Sequence, residues 1–465
     1  MKKNRLWILV AIFTVAGLFL AACGNGNDPT DDTPDEDSVD EVVEPADDEG
    51  DDESLATDGL QGEISFHWWG DDGRHAATNE IIALFVAENP GVTITPIYAP
   101  WAGFQEVFAN NLMAHTEADL MQINFNWLAL YSPFGDTFAD LETLTDYLDL
   151  SNWDAEDIDL VRTNGVVQAV PSGITARVPF MRSDIYEAAG LNIQEMNTWD
   201  DLMEAGRTIQ AELGDDHFAL SPLGNASMAY MVFSWLEQYT GRQFVDEHHQ
   251  FNYSLEELTA GFQLIQDFMD HGVMPPGDFD SEAINSTNPL WIAGHYGGVS
   301  EWDSSINNWI NNLEDGEEVI EVRDHFTMEG AELSGVMARP SMAFAISQNS
   351  QHQDIAATFL NFMLTDARAV AILGTDRGVP SNNVGLAIFN DLVAAGEIGG
   401  AAIDAHNIHA NAVTTTMSPV FEFPEVREVY EGQLEALHFG QVTVAEAAEF
   451  VYNNIQAVID NALIN

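Results

Sequence analysis

Tryptophans beside planar polar side chains are the residues of this sequence best suited to hold a small molecule. An indole ring offers a flat apolar face, and carboxamide and carboxylate groups form hydrogen bonds in their own plane. Together such groups can hold a ligand that has an apolar face and an edge of hydroxyl groups. The members of this set are Trp69, Trp101, Trp127 with Asn124 and Asn126, and Trp302 with Glu301.

Arginine is the second informative residue type, because the composition disfavours every basic side chain. The 14 basic residues include Lys2, Lys3 and Arg5, which leaves 11 arginines and no lysine in the rest of the chain, against 76 acids in all. A guanidinium fork suits a carboxylate, although arginine also binds neutral hydroxyls and most often forms an internal ion pair. An acidic and a neutral ligand therefore both stay open. Four arginines fall in loops or at predicted strand ends: Arg74, Arg177, Arg339 and Arg377.

The sequence has no known catalytic motif. It has no Gly-x-Ser-x-Gly elbow, no phosphate-binding glycine loop and no His-Glu-x-x-His zinc motif. Carboxylates are so abundant that a pair at glycosidase spacing would occur by chance. The run Glu247-His248-His249 could bind a metal, but its polar surroundings favour a solvated turn, and His67 and His75 lack neighbouring ligands. We therefore predict a protein that is not an enzyme and that uses no cofactor and no metal.

The N-terminal residues predict export. Basic residues precede an apolar run, 6–20, that is too short for an ordinary membrane span, so residues 1–22 are predicted to be a signal peptide. An uncleaved anchor is the alternative. The segment Leu20-Ala21-Ala22-Cys23-Gly24 resembles the lipobox of bacterial lipoproteins, in which the cysteine thiol receives lipid. Cys23 is the only cysteine, so no disulfide can form. We expect Cys23 to carry the lipid that holds the protein on the outer face of the cell membrane.

Residues 24–61 are rich in Asp, Glu, Pro, Thr and Gly and have almost no large apolar side chain. With Cys23 they predict a disordered, extended linker, 23–61, because such a segment cannot bury a core. A calcium-binding tail is the alternative, but the spacing of an EF-hand loop is missing. The net charge of −62 excludes nucleic acid as a partner and predicts a saline or alkaline habitat.

Strands that alternate with helices must position these side chains. Residues 63–69, 92–97, 118–123 and 296–300 have the pattern of strands, and alternation along the first sends Trp68 and Trp69 to opposite faces. Helical spacing occurs at 79–88, 104–115, 199–213, 255–269, 354–364 and 444–464. This order predicts an α/β fold with mainly parallel sheets. Four further tryptophans are predicted to be structural: Trp153, Trp199, Trp235 and Trp291.

Eight segments, in this order and spacing, resemble one family. They are Trp68-Trp69-Gly70 with Arg74-His75, and residues 85–90, 101–104, 116–124 with Trp127, 188–191, 198–202, 339–346 and 377–380. The family is that of the solute-binding proteins of bacterial ABC sugar importers, the maltose-binding-like group. The first and fourth segments look most like the subgroup for oligogalacturonides and multiple sugars.

The resemblance implies a type II clamshell of two α/β lobes, each a mainly parallel sheet flanked by helices. By analogy, the N-terminal lobe would hold residues 62–172 and 338–378, and the C-terminal lobe residues 173–337 and 379–465. An oligosaccharide, with or without uronate, would bind in the cleft between them and contact the tryptophans, asparagines, arginines and Glu301 named above. A monomer would then hand the sugar to the transmembrane subunits of an ABC permease. A secreted polysaccharide lyase or hydrolase and a sugar-sensing ectodomain are the alternatives.

Overall fold

The computed structural model describes residues 59–246, 248–280, 285–398, 400–410 and 415–464. The predicted signal peptide, Cys23, nearly all of the predicted linker and Glu247 lie outside the described residues. Within these ranges no single helix is long and apolar enough to cross a membrane. One bent pair, Gln353–Thr365 with Ala367–Leu373, meets that test on length and composition only when its two helices are taken together.

The described residues form eleven strands. They are β1 (Gly62–Trp69), β2 (Val92–Ala99), β3 (Leu120–Ile123), β4 (Arg162–Thr163), β5 (Val166–Val167), β6 (Val170–Thr175), β7 (Arg177–Arg182), β8 (Gly298–Trp302), β9 (Ile320–Val322), β10 (Met337–Ile346) and β11 (Thr415–Thr416).

Seventeen α-helices and five short 3₁₀ helices occur in the same ranges. The α-helices are α1 (Asp72–Glu88), α2 (Phe104–Ala114), α3 (Asn126–Tyr131), α4 (Ala155–Asp159), α5 (Ser183–Ala188), α6 (Trp199–Leu213), α7 (Asn225–Thr240), α8 (Leu255–Asp270), α9 (Pro289–Ala293), α10 (Ile306–Ile310), α11 (Gly316–Val319), α12 (Gln353–Thr365), α13 (Ala367–Leu373), α14 (Asn383–Ala394), α15 (Ala401–Ala410), α16 (Pro424–His438) and α17 (Val444–Ile464). The 3₁₀ helices are Leu141–Thr143, Leu150–Asn152, Ile193–Glu195, Asp303–Ser305 and Pro419–Glu422.

Capping side chains fix the helix starts that position the site. Thr198 and Ser254 form capping boxes at the starts of α6 and α8, which satisfy backbone N–H groups that have no partner within the helix. The first helix begins seven residues before its predicted start at 79, because the carboxylate of Asp71 accepts a hydrogen bond from the backbone N–H of Arg74. Arg74 therefore lies in the first turn of α1 and not in a loop.

The first sheet contains the predicted strand-helix-strand unit. Its order is β11-β10-β3-β1-β2, with β6 paired to β10. Strands β2, β1 and β3 run parallel, whereas β10 runs antiparallel to both β3 and β6. Buried Phe66 on β1 and Phe85 on α1 belong to the core beneath this sheet, together with Phe344 and Phe359. The carboxyl ends of β1, β2 and β3 thus meet at one edge.

The second sheet differs from the prediction in its strand directions. Its order is β8-β7-β9, and both pairings are antiparallel. Within the described residues, parallel pairing in this half of the fold occurs as two isolated bridges, Phe218 with Tyr296 and Thr198 with Thr327. The reason is that β7 continues β6 across Ala176 and so enters the sheet opposite in direction to both of its neighbours. The expectation of a mainly parallel sheet is therefore wrong for this half of the fold.

Two strand segments run between the sheets, in addition to the chain from α13 to α14. One is the passage from β6 to β7, and the other is β10, whose Met337 belongs to the core around α7, α8, α16 and α17 while Phe344 belongs to the core of the first sheet. Thr175, Arg177 and Arg339 lie on these crossing strands. The side chains of the crossing strands therefore meet those from the carboxyl ends of β1, β2 and β3.

Candidate functional site

A cavity of about 390 Å³ lies where the crossing strands meet the edge of the first sheet. We call it the inner chamber. Seven predicted binding residues line it: Trp69, Arg74, Trp101, Asn124, Arg177, Trp302 and Arg339. Eight residues that were not predicted complete its lining: Thr175, Ala226, Tyr230, Ser304, Ser341, Met342, Glu422 and Arg427.

A second cavity of about 440 Å³, the outer chamber, adjoins the first. Its lining consists of Trp101, Gln105, Asn124, Asn126, Trp127, Asn225, Glu422, Pro424, Arg427, Glu428, Glu431, Gly432 and Glu435. Both chambers contain Trp101, Asn124, Glu422 and Arg427 in their walls. The two cavities therefore adjoin and together form one groove.

Trp101 is the aromatic platform of this groove. It lies in the loop after β2 and keeps 49% of its surface exposed, whereas Trp69 and Trp127 are buried. The ring centroids of Trp101 and Trp127 are 6.0 Å apart with the planes inclined by 13°, and Trp69 lies 5.0 Å from Trp101. Buried indoles thus hold one half-exposed indole in place. Trp68 points to the other face of β1, as the alternation predicts, and donates from Nε1 to Nδ1 of His75 at 3.1 Å.

Trp302 at the end of β8 lies between two guanidinium groups. The Cζ atom of Arg177 is 4.8 Å from the centroid of its ring, and that of Arg339 is 4.1 Å away. Arg177 also donates to the carboxylate of Glu301 at 2.9 Å and to the hydroxyl of Ser227 at 2.6 Å. Cation–π contacts of this kind fix the plane of a guanidinium group. Both cations are thereby held rigidly in the wall of the inner chamber.

Arg339 is balanced by a buried acid. Its Nε lies 3.4 Å from Oε1 of Glu422, which is 6% exposed and also accepts a hydrogen bond from the Tyr230 hydroxyl at 2.5 Å. Burial, with the negative charge of Glu422, raises the pKa of Tyr230 well above its ordinary value, so the phenol stays a donor. Asn126 donates to the backbone carbonyl of Glu422 at 3.0 Å.

Among the described residues, the guanidinium group of Arg74 has only backbone carbonyls as hydrogen-bond acceptors. Nη1 donates to the carbonyl of Trp69 at 3.4 Å and Nη2 to the carbonyl of Asp376. Its Nε is buried and has no hydrogen-bond partner among the described residues. Burial lowers the pKa of Arg74, while the nearby carboxylates of Asp376 and Asp71 oppose the shift. Arg74 therefore presents a cation to the chamber without a hydrogen-bonded carboxylate partner.

Two predicted residues do not line either chamber. Arg377 is buried behind Arg74, where it donates to Gln122 at 3.0 Å and to Thr78 at 2.8 Å. Burial, together with the positive charge of Arg74, lowers its pKa to about 9, while the negative charge of Asp376 opposes the shift. Glu301 pairs with Arg177 outside the chamber lining. Neither residue lines a chamber, and contact of either one with a ligand stays a prediction.

The four tryptophans predicted to be structural pack away from the groove. Trp153 donates to the carbonyl of Pro171 at 3.0 Å, and Trp199 donates to Gln238 at 2.8 Å. Trp291 is buried, and Trp235 packs, partly buried, against the core of the second sheet.

The acidic side of the outer chamber was missed by sequence reasoning. It comes from α16, whose buried residues Val426, Tyr430 and Leu434 recur at helical spacing. That spacing was a usable signal for an amphipathic helix. It leaves the glutamates of α16 on the opposite face, but nothing in a single sequence tells which polar helix face meets a groove.

Imidazole groups lie outside the groove. His248 and His249 are exposed in a turn, which confirms the solvated reading for this part of the run. One group with metal-ligand residue types, Asp216 with His217 and His295, was not predicted. Nδ1 of His217 is 2.9 Å from the carboxylate of Asp216, and Nδ1 of His295 is 3.0 Å from its carbonyl. Both imidazoles thus have a hydrogen-bonding role without an ion.

The chain is similar in fold and sequence to known binding proteins. A periplasmic solute-binding protein from Pectobacterium atrosepticum superposes with a TM-score of 0.80 at 28% identity, covering 87% of this chain and 100% of that one. A periplasmic oligogalacturonide-binding protein from Yersinia enterocolitica, solved with saturated digalacturonic acid, gives a TM-score of 0.78 at 25% identity, covering 86% and 99%. These structures have the two-lobe α/β fold, which confirms the predicted fold class.

A lactose-binding protein from Rhizobium radiobacter is 28% identical over 173 residues, which are 36% of this chain and 40% of that protein. This chain therefore spans less than half the length of that relative. The sequence profile described as bacterial extracellular solute-binding protein matches residues 71–369, which is more than half of the chain. The chain therefore belongs to the family of bacterial extracellular solute-binding proteins.

Proposed function

We propose that this protein captures an oligosaccharide containing a uronate outside the cell and delivers it to an ABC permease. The observation that carries the proposal is the half-exposed ring of Trp101 beside an inner chamber that holds Arg74, Arg177 and Arg339. An indole stacks on the apolar face of a sugar ring, and a guanidinium group binds a carboxylate. In a chain with 76 acids, the gathering of arginines in one cavity lining supports a site for an anion, with Arg74 as the one of these three that has no carboxylate in an ion pair among the described residues.

Known relatives support the substrate class. The Yersinia protein is described as binding oligogalacturonide, and a relative from Halalkalibacterium halodurans, 20% identical over 351 residues, as binding arabinooligosaccharide. Both names describe a short chain of sugars as the ligand, but the galacturonide is acidic and the arabinooligosaccharide is neutral. The arginines of the inner chamber favour an acidic sugar, since Arg74 has no hydrogen-bonded carboxylate among the described residues.

Calorimetric titration with digalacturonate and with maltose tests the ligand. We expect digalacturonate to bind at least about tenfold more tightly, the effect of roughly 1.4 kcal/mol from one charge-assisted contact. Ligand at a hundred times its Kd should also stabilise the fold by about 2.7 kcal/mol and raise the melting temperature. Tight binding of maltose alone would contradict the acidic ligand.

The proposal assigns binding and no catalysis. Its support is that the relatives compared above are described as binding proteins. Incubating the protein with trigalacturonate and analysing the products by mass spectrometry tests this point. Intact trigalacturonate is expected. Cleavage that disappears in the variant Glu422→Gln would show an enzyme instead.

The lipid anchor and the lobe movement belong to the same proposal. Lipid on Cys23 would keep a monomeric sugar trap beside its permease, and the predicted lobe boundaries would place the crossing strands as hinges. Mass spectrometry of the protein from its native membrane should show a diacylated N-terminal Cys23. Ligand should also reduce the radius of gyration in X-ray scattering, because two lobes that close around a ligand become more compact. Scattering that stays constant at saturating ligand would contradict closure.

A further inference from the structure

The two chambers of the groove carry opposite charges. The residues that line the inner chamber alone include three arginines and no acid. These arginines are Arg74, Arg177 and Arg339. The residues that line the outer chamber alone include three glutamates and no basic residue. These glutamates are Glu428, Glu431 and Glu435. Glu422 and Arg427, which carry opposite charges, belong to both linings. The charge therefore changes sign between the two chambers.

The helix α16 turns its acids toward the groove. Glu428, Glu431 and Glu435 lie three to four residues apart, which places them on one face of a helix. Its opposite face is buried in the core. Glu428 and Glu435 are exposed, whereas Glu431 pairs with Arg427 at 2.8 Å. Two carboxylates of the outer chamber therefore have no cationic partner among the described residues.

The other side chains that line the outer chamber suit an uncharged sugar. It carries the ring of Trp101 and the carboxamides of Gln105, Asn124 and Asn126. Carboxamides donate hydrogen bonds to hydroxyl groups and accept them, carboxylates only accept them, and the ring offers a stacking face. A second uronate here would lie beside the glutamates of α16, where like charges repel.

Resting on the function proposed above, we infer that the groove takes a mixed oligosaccharide. A uronate unit occupies the inner chamber, and a neutral sugar joined to it occupies the outer chamber. The outer chamber is thus a second subsite that selects against a second carboxylate. Of an oligomer made of uronates alone, only the unit in the inner chamber binds without repulsion.

Titration calorimetry with two disaccharides tests this selection: galacturonosyl-rhamnose, which carries one carboxylate, and digalacturonate, which carries two. Repulsion from two carboxylates at about 6 Å in water corresponds to about a tenfold loss of affinity. We therefore expect the wild-type protein to bind galacturonosyl-rhamnose about tenfold more tightly. In the double variant Glu428→Gln and Glu435→Gln this preference should fall to about twofold or less. Glutamine keeps the acceptor for Asn225, which now donates to Glu435 at 3.1 Å.

A matched control separates local charge from total charge. The double variant Glu80→Gln and Glu449→Gln removes two exposed carboxylates that line neither chamber, so the preference should stay about tenfold. Equal binding of both disaccharides by the wild-type protein would overturn this inference and leave the proposed function standing. So would an equal loss of preference in the control. Binding of neither disaccharide would overturn the proposed function and the inference with it.

Discussion

Replacement of Arg74 by glutamine isolates the contribution of one cation to ligand binding. Its guanidinium group donates to the backbone carbonyls of Trp69 and Asp376 and forms no ion pair within hydrogen-bonding distance of a carboxylate in the described residues. The variant Arg74→Gln therefore removes no hydrogen bond from a carboxylate of the described residues. Its positive charge also disfavours the charged form of buried Arg377, so its removal relieves a repulsion. We expect the free energy of unfolding to fall by less than about 2 kcal/mol.

The effect on binding should be larger than the effect on stability. A hydrogen bond to a charged group contributes about 1.5 to 3 kcal/mol, which corresponds to roughly a 10-fold to 150-fold change in Kd. We predict a loss of this size for galacturonosyl-rhamnose. For a neutral disaccharide such as maltose, the change should be about threefold or less, because no carboxylate is lost from the contact.

Titration calorimetry of both disaccharides against Arg74→Gln, checked for folding by circular dichroism, measures this difference. Arg207→Gln is the matched control, since Arg207 is a surface residue that pairs with Glu204 at 2.7 Å and lines neither chamber. It should leave both affinities unchanged. An Arg74→Gln protein that binds the acidic disaccharide within twofold of wild type would refute the assignment. An equal loss for both disaccharides would refute it as well.

Three further predictions follow from burial and charge. Trp101→Ala should weaken ligand binding about tenfold in calorimetry. It should lower the free energy of unfolding in urea by less than about 1 kcal/mol, because the ring is already 49% exposed. A large loss of stability would show a core role instead. Burial lowers the pKa of His67 to about 4, below its ordinary 6.5. Between about pH 4 and pH 6.5 the imidazole is therefore protonated in the unfolded state and neutral in the folded state. Stability should rise with pH across this window by about 3 kcal/mol, and His67→Phe should flatten that part of the curve in urea titrations at pH 4.5 and 7. Raising NaCl from about 0.1 to 1 M should raise the melting temperature by screening the net charge of −62, and a falling melting temperature would count against a saline habitat.

Local patterns predicted the elements around the site because their causes are local. Thr198 begins α6 through its own hydroxyl, and the alternation along β1 puts Trp68 and Trp69 on opposite faces. The start of α1 was predicted too late, because one cap at Asp71 outweighed the turn-like composition around it. The second sheet was predicted with the wrong strand directions, because β7 inherits its direction from a strand in the other sheet.

Long-range contacts decided the parts of the site that could not be predicted. The sequence indicates that Arg339 and Arg377 lie near a cleft, but only the packing shows Arg339 against Trp302 and Arg377 buried beneath Arg74. Glu422 becomes part of the groove because the chain returns there after α12 and α13 beside the first sheet and after α14 and α15. Its role depends on Tyr230 and Arg339, which are far away in sequence.

A crystal structure of the protein with galacturonosyl-rhamnose tests the central claim most directly. We predict a sugar ring stacked on Trp101, with its carboxylate within hydrogen-bonding distance of Arg74, Arg177 or Arg339 and the rhamnose beside α16. A carboxylate that points to solvent, or a disaccharide bound outside the two chambers, would contradict the account.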